Sequence, residues 1–227
     1  MLEIQRSYGP VLDEDQIIGY HGTNVSAIRE LANEAFLPAG TDPVGMISFV
    51  PNRSYLREVI LKRKVFKYMI HDFEINRSGF SDAERYARIS GMDDYLARRL
   101  GAPYGVYRSA EYSAIEGGYK MGYSMGRCFD MDGDPETYRY FKSIGCSSKD
   151  ILDLLMECDR YRGVVVGIRR SAAELLVPFQ RPTRFYERHD GFLLNAPEGL
   201  SAEHIGPVIP RTKLEEEMIL ESLPVYH

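Results

Sequence analysis

His21 stands near the start of the chain in the run Gly19-Tyr20-His21-Gly22-Thr23, and Glu215-Glu216-Glu217 stands near its end. A neutral imidazole offers one donor and one acceptor. The glycine after it lets backbone approach a ligand with no Cβ in the way, and Thr23 adds a hydroxyl. A carboxylate in a partly dry site, for its part, stabilises positive charge that develops beside it. Taken singly, each has a plainer meaning. A lone histidine at a strand end is usually just hydrogen-bonded, and a glutamate triplet ahead of an apolar run is usually a solvated turn.

Other patterns that could carry chemistry fall away. Asp130-Met131-Asp132-Gly133-Asp134 invites a calcium-loop reading, but that loop wants glycine at its sixth position and glutamate at its twelfth, where Pro135 and Phe141 stand. The five histidines are scattered, with His71 and His189 lacking a partner at ligand spacing, so no metal is expected. Neither Gly-x-Gly-x-x-Gly after a strand nor Gly-x-x-x-x-Gly-Lys-[Ser/Thr] occurs, which disfavours a Rossmann hydride carrier and ATP binding.

The elements that must position these residues are legible at both ends. Residues 16–20 form a short apolar run ending at His21, and Asn24 or Ser26 caps a helix through Phe36, with Val25, Ile28, Leu31, Ala32 and Ala35 on one face. Gly45 to Val50 reads as a strand, and Pro51-Asn52 starts a helix to about residue 62. Residues 65–75 read as extended. Ser81-x-x-Glu84 is a capping box opening a helix to Leu100, and a further helix spans residues 148–158. Between them, tyrosines accompany Gly118, Gly122 and Gly126, which reads as close helix packing or a loop edge ahead of a tyrosine-lined ligand surface. The unbroken run Val164 to Ile168 suits a central strand buried on both faces. Residues 192–195, 207–210 and 214–220 follow as strands. β-rich ends around a mostly helical insertion at about residues 81–161 make one α+β domain over residues 1–227.

Gly19-Tyr20-His21-Gly22-Thr23 resembles the first motif of the ADP-ribosyltransferase superfamily, in the His-Tyr-Glu branch of diphtheria-type toxins and poly-ADP-ribose polymerases. Gly45 to Tyr55 is similar to the second motif, in which Ser48 and an aromatic lead into a helix carrying a tyrosine. Leu214 to Leu220 is similar to the third, a glutamate-headed apolar strand. The likeness covers roughly residues 16–60 and 160–221. Where diphtheria-type enzymes carry a stacking tyrosine on the second strand, Ile47 stands here, leaving Phe49 or Tyr55 to provide the ring.

The resemblance implies a split β-sheet around an NAD+ cleft, with NAD+ as substrate and nicotinamide as leaving group. His21 would fix a ribose, Gly22 would read the carboxamide through its backbone and Thr23 would add its hydroxyl. Ser48, Phe49 and Tyr55 would line the nicotinamide. Glu217 would answer the positive charge of the oxocarbenium-like ribose, a contribution of about 3 kcal/mol or more. In a strand, Glu215 and Glu217 share one face while Glu216 and Met218 take the other, and burial does not choose between the pairs. The resemblance selects Glu217, with Glu215 as a companion acting on the acceptor.

A formal charge of −5 and a pI near 5.6 give no general basic field, which disfavours a nucleic-acid partner. A protein is the expected acceptor, and a nucleic-acid end or a small molecule stays open beside it. No run approaches the roughly 18 to 20 apolar residues of a membrane span, and residues 1–10 lack the apolar core of a signal peptide, so a cytoplasmic location is expected. Cys128, Cys146 and Cys158 fit neither a disulfide framework nor a metal knuckle. Two other readings stand beside the transferase: a non-catalytic module that binds ADP-ribose, a nucleotide or a protein, and an NAD+ glycohydrolase that uses water as acceptor.

Overall fold

The computed structural model describes residues 2–5, 16–41, 44–52, 54–55, 57–58, 79–100, 143, 145, 160–177 and 192–223. The expected extended stretch at 65–75, the tyrosine-glycine segment and the helix at 148–158 lie outside them.

Strand β1 (Ile17–Thr23) leads into helix α1 (Val25–Glu34). Asn24, not Ser26, is the cap. Its side-chain oxygen accepts from the Ala27 N–H at 2.9 Å, whereas the Ser26 hydroxyl donates to Asp94 at 2.6 Å. α1 buries Val25, Ala27, Ile28 and Leu31 and ends at Ala35, which enters the left-handed region at φ 61° and returns its N–H to the Leu31 carbonyl. Strands β2 (Phe36–Leu37), β3 (Gly40–Thr41) and β4 (Val44–Pro51) follow. Asn52 then caps a helical turn containing Tyr55, accepting from the Tyr55 N–H at 2.8 Å. It also ties that turn to β1, donating from its side chain to the Ile17 carbonyl and from its backbone to the Ile18 carbonyl.

Helix α2 (Gly79–Leu100) begins two residues ahead of the Ser81 capping box. Beyond it come β5 (Val164–Arg169), a 3-10 helix (Arg170–Leu175), β6 (Phe192–Asn195), β7 (Leu200–Ser201), a 3-10 turn (Ala202–His204), β8 (Ile205–Pro210) and helix α3 (Lys213–Leu220).

The fold is α+β with an antiparallel sheet. Five strands run in the order β3-β4-β1-β5-β8, β6 joins them as the sixth by pairing with β4, and β2 pairs with β7 in a separate ribbon. Both faces of the sheet are covered. Val164, Val166 and Ile168 of β5 join Ile28 and Leu31 of α1 and Ile219 of α3 in one core cluster. Val165 joins Tyr20, Phe80, Ala83 and Ala87 on the α2 face. That two-sided burial is what the unbroken apolar run of β5 requires.

One expected strand is a helix. Thr212-Lys213-Leu214-Glu215 is a capping box, in which the Thr212 hydroxyl accepts from the Glu215 N–H at 3.2 Å and donates to the Glu215 carboxylate at 3.0 Å. The run Met218-Ile219-Leu220 suggests a strand, but its burial has helical spacing: Glu215 and Ile219 face inward, and Glu217 is exposed. The two-faced register of the glutamates therefore does not exist.

Candidate functional site

Two residue pairs alone, Gly19 with Pro51 and Tyr20 with Val50, join β1 to β4. Beyond Tyr20 the strands part. β1 stays on β5, with His21 opposite Val166 and Thr23 opposite Val164, while β4 continues with β6 on one edge. The Ala196 N–H donates to the Gly45 carbonyl on that β6 edge. Alternation along β4 then turns Ile47 and Phe49 backbone groups to β6 and those of Ser48 and Val50 to β1. Where a β1 backbone partner for Ser48 would stand, the His21 Nδ1–H donates to the Ser48 carbonyl at 2.5 Å. A side chain thus spans the seam that the strands leave.

The same alternation sets Gly22. The Ile18 carbonyl accepts from Asn52 on the β4 side, so the peptide groups of Tyr20 and Gly22 also turn to that side. Gly22 lies past the last β1–β4 pair, and its N–H and C=O face the seam. Its lack of a Cβ answers a different neighbour: a Cβ there would run into the backbone of Ala83 and Ala87 in α2. Gly163, at φ +74°, is pressed in the same way against Ala87.

His21 is half-buried, and burial lowers its pKa below the ordinary imidazole value, with the Ser48 bond pulling the other way. The ring is consequently neutral at pH 7. Because Nδ1 carries the proton that Ser48 receives, Nε2 carries the lone pair and is an acceptor.

The other expected site residues divide. Ser48 reaches the seam through its carbonyl while its side chain is exposed, and Thr23 is buried. Phe49 is 1% exposed, with its ring 5.9 Å from Phe192 and 6.5 Å from Tyr55, itself buried beneath Arg170. Both rings are core, so the expected stacking on a ligand has no exposed face there.

Glu215 is buried, accepts from the Gly163 N–H and the Thr212 hydroxyl, and ties α3 to the start of β5. Burial pushes its pKa up to about 7, against the opposing pull of the Gly163 N–H, the Thr212 hydroxyl and the Arg211 and Thr212 N–H groups. Its inward bonds make it a structural carboxylate, not a companion that meets an acceptor. Glu217 lies on the solvent side of α3, 3.7 Å from Lys213. α3 leaves the sheet at β8 and packs on α1, with the Arg29 guanidinium donating to the Met218 carbonyl at 3.2 Å. β5 separates β8 from the seam strand β1. The geometry brings His21, Gly22 and Ser48 together, and it turns Glu217 to solvent.

Sequence reasoning put Asn52 at a helix start and missed its tie to the Ile17 and Ile18 carbonyls of β1. It also missed Thr212, signalled by Thr-x-x-Glu. Among the described residues, no His/Cys/Asp/Glu group is arranged to hold a metal ion, and no helix is long and apolar enough to cross a membrane. No protein-family model, curated protein or solved structure matches the chain.

Proposed function

We propose that the chain binds NAD+ at the β1–β4 seam and transfers its ADP-ribose to an acceptor, a protein side chain, with release of nicotinamide. What supports this most is the parting of β1 from β4 at His21, with a ring held by Ser48 and the peptide groups of Gly22 turned into the same gap. Nε2 would accept from a ribose hydroxyl. The Gly22 N–H and C=O match the acceptor and donor of a carboxamide, which is the hydrogen-bonding signature of nicotinamide.

In the transfer, the bond from ribose C1′ to the nicotinamide nitrogen breaks and nicotinamide leaves neutral. The acceptor atom bonds to C1′ and gives its proton to solvent. A nearby carboxylate would stabilise the charge that develops in between. Glu217, expected in that role, faces solvent on α3.

The purified chain should release nicotinamide from NAD+, and His21→Ala should weaken both binding and release. Mass spectrometry of the products then tells a modified side chain from free ADP-ribose. One observation favours a second reading: Glu217, the carboxylate expected to serve the reaction, is turned to solvent. NAD+ binding without nicotinamide release would make this a binding module, and absence of binding would overturn both readings.

A further inference from the structure

A cavity of about 330 Å³ lies where β4 meets β6, lined by Met46, Glu174, Leu175, Leu176, Val177 and Asn195. Met46 and Asn195 are cross-strand partners. The other four residues leave the 3-10 helix after β5 and run along β6, where Leu176 bridges Leu194 and the Val177 N–H donates to the Leu193 carbonyl at 2.9 Å. The backbone of this wall is therefore held, not loose. The volume lies at the lower end of the roughly 300 to 1,000 Å³ typical of small-ligand sites.

The lining has a definite chemistry. Met46, Leu175, Leu176 and Val177 supply apolar surface, and Leu176 is buried while Met46, Leu175 and Val177 are half-buried. Glu174 and Asn195 are the exposed polar members. Glu174 is the charged one, and among the described residues its carboxylate has no cationic partner. A carboxylate and a carboxamide oxygen over aliphatic walls suit a cation that carries its charge at the end of an apolar stem, because the walls take the stem and the oxygens take the N–H groups. They repel an anion of the same length.

We infer that this cavity is a binding site for a guanidinium or ammonium group on a short aliphatic stem, such as an arginine or lysine side chain presents. Glu174 binds the charge, the Asn195 side-chain oxygen accepts a further N–H, and Met46, Leu175 and Val177 pack on the stem. Met46 lies two residues from Ser48 on β4, roughly 7 Å along the strand at about 3.3 Å per residue, and on the same face. Binding of the cation there does not depend on NAD+ chemistry at the His21–Ser48 seam.

The test is a titration of the isotope-labelled full chain with agmatine, a guanidinium-type cation on an aliphatic stem, followed by NMR. Saturable shifts at Met46, Glu174, Val177 and Asn195 are expected, with Glu174→Gln weakening binding about tenfold or more while the rest of the spectrum stays unchanged. Met46→Trp, which fills the cavity, should also abolish the shifts. Pentanoate, of similar stem length and opposite charge, should not bind. No saturable shift with agmatine, equal binding by Glu174→Gln, or equal binding of pentanoate would each overturn the assignment. NAD+ titrated into the same samples reports on the seam separately, so either idea can fail alone.

Discussion

The Nδ1–H of His21 donates to the carbonyl of Ser48 at the point where β1 and β4 separate. The bond selects the tautomer, and burial lowers the pKa, so the ring meets a ligand as a neutral acceptor. Long-range nitrogen NMR should show His21 as the Nδ1–H tautomer, titrating below the ordinary imidazole range. A depressed folded pKa contributes stability above the unfolded value that is lost as pH falls through the folded one. Acid should accordingly weaken the fold in part through His21, and His21→Asn should shrink that part of the acid limb. An Nε2–H tautomer, or a pKa above the ordinary value, would contradict the seam geometry.

Glu215 carries the opposite sign. Its carboxyl is raised to about 7 by burial, so the folded state prefers it protonated. The stability this contributes is fully present below the ordinary carboxyl range and is lost as pH rises through about 7. Stability should fall across that window by on the order of 3 kcal/mol, and melting temperature with it. Glu215→Gln, which cannot ionise, should flatten the slope whatever it does to absolute stability. Parallel melting curves for the two proteins would rule this out.

Two glycines hold α2 against the sheet by backbone contact. A Cβ on Gly163 would strike the Ala87 carbonyl from a backbone at φ +74°, and one on Gly22 would strike Ala83 and Ala87. Neither neighbour is a side chain that can swing away. Gly22→Ala should cost about 1 to 3 kcal/mol, the usual range for overpacking, and Gly163→Ala more, since it adds backbone strain. Urea denaturation measures both, and a Gly22→Ala protein of unchanged stability would show that α2 packs elsewhere in solution.

What the sequence reveals follows from how local its signals are. Asn24 ahead of α1, the run of β5 and the Gly45–Val50 strand carry their own caps, period and length, and each appears where the sequence puts it. His21 beside Gly22 was readable as a pair at a strand end. That Ser48 would serve through its carbonyl was not, because a backbone contribution leaves no trace in residue type. Phe49 and Tyr55 read as ligand aromatics, since composition does not tell which face of β4 is buried. At residues 212–220 two local signals compete. The triad Met218-Ile219-Leu220 looks extended, yet Thr212 and Glu215 satisfy each other only in a helix, and the capping box wins.

That helix decides what a variant at Glu217 should do. Glu217 is exposed and paired at 3.7 Å with Lys213 one turn away, an arrangement that contributes at most about 0.5 kcal/mol. Glu217→Gln should leave both melting temperature and nicotinamide release nearly unchanged. His21→Ala should lower release and lose NAD+ affinity as well, since its hydroxyl bond would exist before the reaction. Measuring nicotinamide release and NAD+ affinity for the two variants separates their roles. Loss of release in Glu217→Gln would require α3 to reach the seam, and would return the catalytic carboxylate to the C-terminal glutamates.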